Sequence, residues 1–328
     1  MATLGLPPRA GGRPTWQPVG VDATGSRCAV VFPGQGSQFP GMADPWTEDP
    51  SGRAVLDEAS EAMGRDVVAT CHDVAALATT EFVQPAILAC DVAAFRVLQA
   101  SGLSAPVGVG GHSLGEFAAL VAADVVTLPE AVDLVAVRGA AMQRASKEQP
   151  GTMTALLGVG TDEASALCEE VREDDVLLVA NENSPVQVVA SGSVPAIERL
   201  EALARERKVR SVRLQVAGAF HSPLMEPAVA EVNERLDLLE FRAPAFPIAE
   251  NVSGRLEIDP ATLKALVMRH VVSPVRWESC VRGLAATGAF SFYEAGPGDV
   301  LTKLTKRIVP EAQALAIGSP QVVRDAIR

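Results

Sequence analysis

The sequence predicts an α/β protein in which a parallel sheet carries a smaller inserted subdomain. Three observations lead there. Short apolar runs that stop at glycine-rich turns alternate with helix-patterned stretches, as in a parallel sheet covered by helices. One of those turns, at residues 111–115, reads G-x-S-x-G between an apolar run and a helical one. The middle of the chain then abandons the alternation for a strand-rich order.

The elements follow in sequence. CAVVF (28–32) is a continuous apolar run ending at PGQGSQ, a buried strand running into a glycine-rich loop. Residues 82–100 have the pattern of an amphipathic helix, and APVGVGGHSLGEFAALVAADVV repeats strand, abrupt turn and helix. Residues 129–145 are helical, with Pro129 placed to start them. Next come a strand at 152–159, a helix at 161–172 that Thr161 is expected to cap, and strands at 176–180 and 186–191 about the turn signal NENSP. A helix at 195–206 and a strand at 209–216 complete βαββαβ, a ferredoxin-like unit. The C-terminal third returns to mixed α/β, with a strand at 290–294 before GPGD. The expected organisation is a flexible segment over 1–27, a large subdomain from 28–150 and 217–328, and a small one over 151–216.

Composition narrows the function. The chain has 328 residues, 48% hydrophobic and 21% charged, enough to bury a large core and unlike a disordered chain. Its 28 Lys and Arg against 40 Asp and Glu give a net charge of −12, which argues against nucleic acid gripped through overall charge. With 10 Phe, 3 Trp and 1 Tyr it also lacks a base-stacking surface. Five cysteines without a CxxC pair suggest reduced thiols in a cytoplasmic protein rather than a disulfide framework. Four histidines (His72, His112, His221 and His270) show no metal-ligand spacing, so no metal is expected. The segment MATLGLPPRAGGRPTWQPVG has no apolar core for a signal or a membrane span, and no later run is long enough to cross a bilayer.

Gly111-His112-Ser113-Leu114-Gly115 has the form of a nucleophile elbow. The serine must sit on a tight strained turn that leaves no room for side chains two residues to either side. The helix that follows aims its amides at developing negative charge. A serine hydroxyl needs a base. His112 neighbours the nucleophile, and on such a turn its side chain points elsewhere. His221, in QVAGAFHSPLM, follows the last strand of the small unit and can reach the serine from the opposite side; a loop histidine without a role is the alternative.

VVFPGQGSQ, FVQPAI, GHSLGEFAALVAA, VAVRGAAMQ, GAFHSPLM, NVSG and PVRW…EAGPGDVL occur in one order. Together they closely resemble malonyl-CoA:acyl carrier protein transacylases and the acyltransferase domains of polyketide synthases, over roughly residues 28 to 305. The resemblance implies an α/β-hydrolase-like large subdomain. It implies Ser113 as the acylated nucleophile and His221 as its base, in a ping-pong transfer from malonyl-CoA to the phosphopantetheine thiol of an acyl carrier protein. It assigns the oxyanion to the backbone amides of Leu114 and of Gln35, whose loop matches neither a dinucleotide nor a Walker A pattern. It calls for no permanently bound cofactor and no third acid, since a backbone carbonyl orients the histidine. Where the family usually has glutamine, four residues before the Pro of PVRW, this chain has His270. If the carbonyl is the working part the exchange is tolerated; if the glutamine side chain matters, geometry or pH dependence shifts; a residue that simply packs or faces solvent is the alternative to either.

Arg138, in an apolar helical stretch, is costly without an anionic partner. An internal salt bridge or a snorkelling side chain would account for it. The resemblance gives it a sharper role, binding the free carboxylate of the malonyl group. Phe220 resembles the form associated with malonyl over bulkier units. Gln84 falls in a segment the family places near the site, or is an ordinary residue at a helix start. Carrier protein and CoA are anionic, so local positive charge is expected. Arg205, Arg207, Lys208, Arg210 and Arg213 form the densest run, with Lys303, Lys306 and Arg307 a second; a solvated face explains either as well. Three alternatives to malonyl transfer stand: acyl transfer between carrier proteins, a serine esterase or thioesterase, and a non-catalytic docking subunit.

Overall fold

The computed structural model describes residues 27–103 and 105–327; the N-terminal segment expected over 1–27 lies, apart from Arg27, outside the described residues. Strand β1 (Cys28–Phe32) is followed by helices α1 (Pro50–Met63), α2 (Val67–His72), α3 (Val74–Leu77) and α4 (Thr80–Ala100). Then come β2 (Gly108–Gly111), α5 (Gly115–Ala122) and α6 (Leu128–Glu148). The next stretch runs β3 (Gly151–Leu157), α7 (Thr161–Val171), β4 (Leu177–Ser184), β5 (Gln187–Ser193), α8 (Val194–Glu206) and β6 (Arg210–Arg213). The chain continues through α9 (Val229–Asp237), β7 (Ile248–Ala249), β8 (Leu256–Glu257), α10 (Pro260–Val267) and α11 (Trp277–Ala286). It closes with β9 (Ser291–Ala295), α12 (Val300–Ile308), β10 (Gln313–Ile317) and α13 (Pro320–Ile327).

Six strands form one sheet in the order β10-β9-β1-β2-β7-β8, parallel except for the β7–β8 pair. β1 is apolar at every position because both of its faces are covered. Val30 and Phe32 join the core that contains α4. Ala29 and Val31 pack with Trp277, Val281 and Leu284 of α11 and Leu301 and Leu304 of α12. The second sheet is antiparallel in the order β4-β5-β3-β6, with α7 and α8 against one face, the strand arrangement of a ferredoxin-like unit. Alternation divides its side chains. Leu156, Val188 and Ala190 pack under the helices, while Met153, Ala155 and Val189 face the large subdomain. A parallel bridge between Asn181 and Val275 ties its β4 edge to the large subdomain.

Three local readings are corrected. Thr161 is the first residue of α7, not its cap; Gly160 holds the cap position, and no side chain bonds there. The segment NENSP is not a turn. Asn181, Glu182, Asn183 and Ser184 complete β4, because their backbone pairs with β5, and the turn is confined to Pro185 and Val186. The last strand of this unit is also shorter than 209–216, at Arg210–Arg213; its ladder with β3 runs out after the Leu214 amide bonds the Met153 carbonyl. The helices before α4 passed unassigned. Asp49, Asp66 and Asp73 each accept first-turn amides there, so N-cap signals were present in the sequence.

Helix α6 starts with a capping box between Thr127 and Glu130, and crosses α4 closely at Gly139. A Cβ on Gly139 would lie 2.5 Å from the Thr80 carbonyl oxygen. That approach lets Arg138 of α6 reach Gln84 of α4. Helix propensity alone makes Gly139→Ala stabilising. Overpacking against backbone opposes it, so a net loss of about 1–3 kcal/mol in urea denaturation is expected.

Candidate active site

Strand β2 delivers the chain into a turn with no spare volume. A Cβ on Gly111 would lie 1.9 Å from the Gly115 carbonyl carbon, and one on Gly115 would lie 2.1 Å from the Phe32 carbonyl oxygen. Ser113 between them has φ +51°, a left-handed conformation that costs a non-glycine residue about 1–2 kcal/mol. The turn is closed by the Gly115 amide donating to the His112 carbonyl and the Glu116 amide to the Ser113 carbonyl.

His221, also at positive φ, brings Nε2 to 2.7 Å from Ser113 Oγ. Its Nδ1 lies 3.1 Å from the carbonyl oxygens of both His270 and Ser273. Carbonyls only accept, so Nδ1 carries the proton and the Nε2 lone pair is left to take the serine hydroxyl. The work of an orienting carboxylate is done by two backbone oxygens.

Arg138 is 1% exposed. Its Nη1 donates to Gln84 Oε1 at 2.7 Å, while Nη2 lies 3.3 Å from Ser113 Oγ and 3.4 Å from His270 Nδ1. These partners are all neutral, and the guanidinium also lies over the Phe117 ring. Burial lowers its pKa to about 10, with Glu116 opposing the fall, so it stays a cation at neutral pH. Glu116 is buried as well. Burial and the neighbouring Glu250 push its carboxyl well above the usual range, against the Asn251 amide and Arg138.

A cleft of about 500 Å³ between the two sheets gathers most of the expected residues: Gln35, Gln84, Ser113, Leu114, Arg138, Phe220 and His221. Gln84 lies inside α4 rather than at a helix start, and is buried against Arg138. The Gln35 loop packs onto the nucleophile turn, where a Cβ on Gly34 would come within 2.3 Å of the His112 carbonyl oxygen and 3.7 Å of the Leu114 nitrogen. Met142, Met153, Ala155, Val189 and Val216 give the cleft an apolar wall. His270 does not face solvent. It is buried behind the site, its carbonyl on His221 and its Nε2 3.5 Å from Glu116 Oε2. His112 turns away from Ser113 and bonds Asn183 Oδ1 at 2.8 Å.

The first basic run stays outside the cleft. Arg207 is paired with Glu170 and Arg213 with Glu201, while Arg205, Lys208 and Arg210 are exposed. The second run is nearer, because Leu301 and Leu304 of α12 line the cleft and Arg307 donates to Gln187 beside it.

Three polar residues at the site had no role in the sequence reading. Asn181 and Asn183 alternate along β4 into the cleft, a period-two signal hidden by reading NENSP as a turn. Asn251 lies in NVSG and bonds the Ser113 amide, a contact that nothing local in the sequence reveals.

Residues 29–323 match the family model described as acyl transferase domain. The chain belongs to that family. It is 40% identical over 303 residues, 91% of this chain and 98% of the other, to the malonyl CoA-acyl carrier protein transacylase of Escherichia coli K12. The crystal structure of an acyl carrier protein S-malonyltransferase from Vibrio cholerae superposes with a TM-score of 0.88 at 40% identity, covering 92% of this chain and 100% of that one. A malonyl-transacylase solved in complex with its type II PKS acyl-carrier protein gives a TM-score of 0.88 at 36% identity, covering 92% and 99%. For this acyl transferase domain, the arrangement can deprotonate a serine hydroxyl beside a buried cation in a cleft.

The pH behaviour follows from burial. Desolvation first, then the charge of Arg138, hold His221 down to about 3. An unfolded histidine titrates near 6.5, so between roughly 6.5 and 3 the unfolded chain binds more protons. Stability from keeping His221 neutral is complete above that window and is lost as pH falls through it. His270 and His112 are lowered in the same direction, mainly by burial. The rate at which Ser113 reacts with an electrophile such as a sulfonyl fluoride is therefore expected to stay flat from pH 8 to about 5.5, where an unshifted imidazole loses half its activity near 6.5. Rapid-quench rates across that range check it, and a half-loss near 6.5 contradicts it.

Proposed function

We propose that this protein moves a malonyl group from malonyl-CoA to the phosphopantetheine thiol of an acyl carrier protein, for fatty acid or polyketide synthesis, through an ester on Ser113. The observation that carries the reading is the buried Arg138 guanidinium, 3.3 Å from the serine oxygen and bonded to neutral groups. A site built this way favours an acyl group that brings its own carboxylate. An acetyl group leaves the guanidinium without an anion in a dry site. The names of the relatives support the same substrates.

In this reading Ser113 Oγ attacks the thioester carbonyl while its proton passes to His221 Nε2. The oxyanion is held by the amides of Leu114 and Gln35. When the carbon–sulfur bond breaks, the CoA sulfur leaves with the proton from His221. The carrier's thiol then gives its proton to the same nitrogen and attacks the ester, and Ser113 recovers its proton as it departs. His221 is neutral before each half-reaction, as its depressed pKa requires. Protein groups and the two thiols supply all of this chemistry. Gln84 fixes Arg138, and Phe220 closes the cleft beside the base.

The partner is an acidic carrier protein. For its docking, the exposed Arg205, Lys208 and Arg210 form one surface, with Arg207 held by Glu170; Lys306 and Arg307 on α12 form another at the cleft. The second is nearer the route a phosphopantetheine arm must take to Ser113. Among the described residues no helix is long and apolar enough to cross a membrane. We propose a cytoplasmic location, in keeping with the buried thiols of Cys71, Cys90, Cys168 and Cys280.

Incubation with malonyl-, methylmalonyl- and acetyl-CoA, read by intact mass before and after addition of carrier protein, tests the function. A malonyl adduct that is absent in Ser113→Ala and discharges onto carrier protein is expected. No adduct, or rapid hydrolysis without transfer, overturns the reading. Arg138→Ala is expected to lower malonyl kcat/KM about 100-fold and to narrow the malonyl-to-acetyl ratio by a similar factor. An unchanged ratio removes Arg138 from the carboxylate.

A further inference from the structure

Asn251 follows the short strand β7, which pairs in parallel with β2 through Val109 and Gly110. Where that ladder ends, the asparagine side chain continues it. Its Oδ1 accepts the Ser113 amide at 2.8 Å, and its Nδ2 donates to the Gly111 carbonyl at 2.8 Å. The side chain therefore spans the strained turn, gripping the backbone on both sides of His112. The two bonds have opposite polarity. An amide satisfies both, a carboxylate only the first, and alanine neither.

The grip is rigid because Asn251 is itself held. Its own amide donates to Glu116 Oε2 at 3.1 Å, and its carbonyl accepts the Arg276 amide at 2.9 Å. The preceding Glu250 closes the turn by accepting the amides of Val252 and Ser253 at 2.6 and 2.7 Å. Asn251 and Glu250 are 0% exposed and Glu116 is 1% exposed, so water does not compete for these bonds. Glu116 lies in the first turn of α5, just after the nucleophile turn, so the loop is referenced to α5 and to β2 at once.

We propose that Asn251 is a positioning residue for the nucleophile, holding Ser113 in its left-handed conformation and occupying its amide so that the Leu114 amide is left to face the oxyanion. Resting on the reading of Ser113 as the acylated residue, this deepens it by assigning the support of the elbow to a side chain 138 positions away. The benefit is geometric. A nucleophile or oxyanion donor displaced by about 1 Å loses about 100-fold in rate, although it touches substrate no less.

The test compares wild type, Asn251→Ala and Asn251→Asp, with folded fraction measured for each by near-UV circular dichroism. Expected is a fall of about 100-fold in the rate of malonyl-Ser113 formation per folded molecule for Asn251→Ala, and of about 10-fold or more for Asn251→Asp. KM for malonyl-CoA and the malonyl-to-acetyl ratio should stay within about threefold, because Arg138 is untouched. Where Asn251→Ala does not fold, Asn251→Asp decides. Rates per folded molecule within threefold of wild type overturn the proposal, as does a loss expressed in KM or in the acyl ratio alone. Sulfonylation of Ser113 by phenylmethanesulfonyl fluoride separates this from the proposed function. If wild type reacts with that reagent but forms no malonyl ester, the malonyl reading fails, and the sulfonylation rates of the variants still judge Asn251.

Discussion

At the carboxyl end of β2 the backbone of residues 111–115 folds back on itself with less than a side chain's width between Gly111 and Gly115, and much of the molecule is arranged around holding it there. The left-handed Ser113 persists because its surroundings over-determine it: β1 on one side, the Gly34 loop above, α5 beneath and Asn251 across the turn. A strained turn on a parallel sheet needs a sheet rigid on both faces, and the apolar burial of β1 and of α4 provides it. Each of the residues meeting Ser113 comes from a different element, so the site is a property of the whole core.

Electrostatics gives the site its second organising feature. Arg138 brings one positive charge into a region that also buries His221, His270, Glu116 and Glu250. Dry surroundings and that charge keep His221 and His270 neutral, the state a proton acceptor needs, while Glu116 opposes the fall in Arg138's pKa. The same desolvation that makes an unpaired cation expensive is the source of selectivity in the proposed capture of a substrate carboxylate. The bulk charge of −12 therefore describes the surface and says little about the cleft.

Much of the fold was legible because its signals are local. The run CAVVF, the glycines around Ser113 and the helix pattern of 82–100 each state their structure within a few residues, as do the N-cap aspartates that went unread. The errors were local too: Thr161 looks like a cap but is one residue inside the helix, and NENSP has turn composition while its backbone is claimed by β5. Pairing overrode propensity there, as it commonly does in strands.

The sequence by itself determined the family and singled out Ser113, His221 and Arg138, because a serine on a tight turn and an arginine in an apolar helix are chemically conspicuous wherever they occur. Tertiary structure decided how those residues are held. That His221 meets the carbonyls of His270 and Ser273, that Gln84 faces Arg138 across the Gly139 crossing, and that Asn251 bonds the Ser113 amide are all contacts between distant segments. They depend on backbone groups and helix packing rather than on residue type at one position, and only the folded chain brings those groups within hydrogen-bond reach.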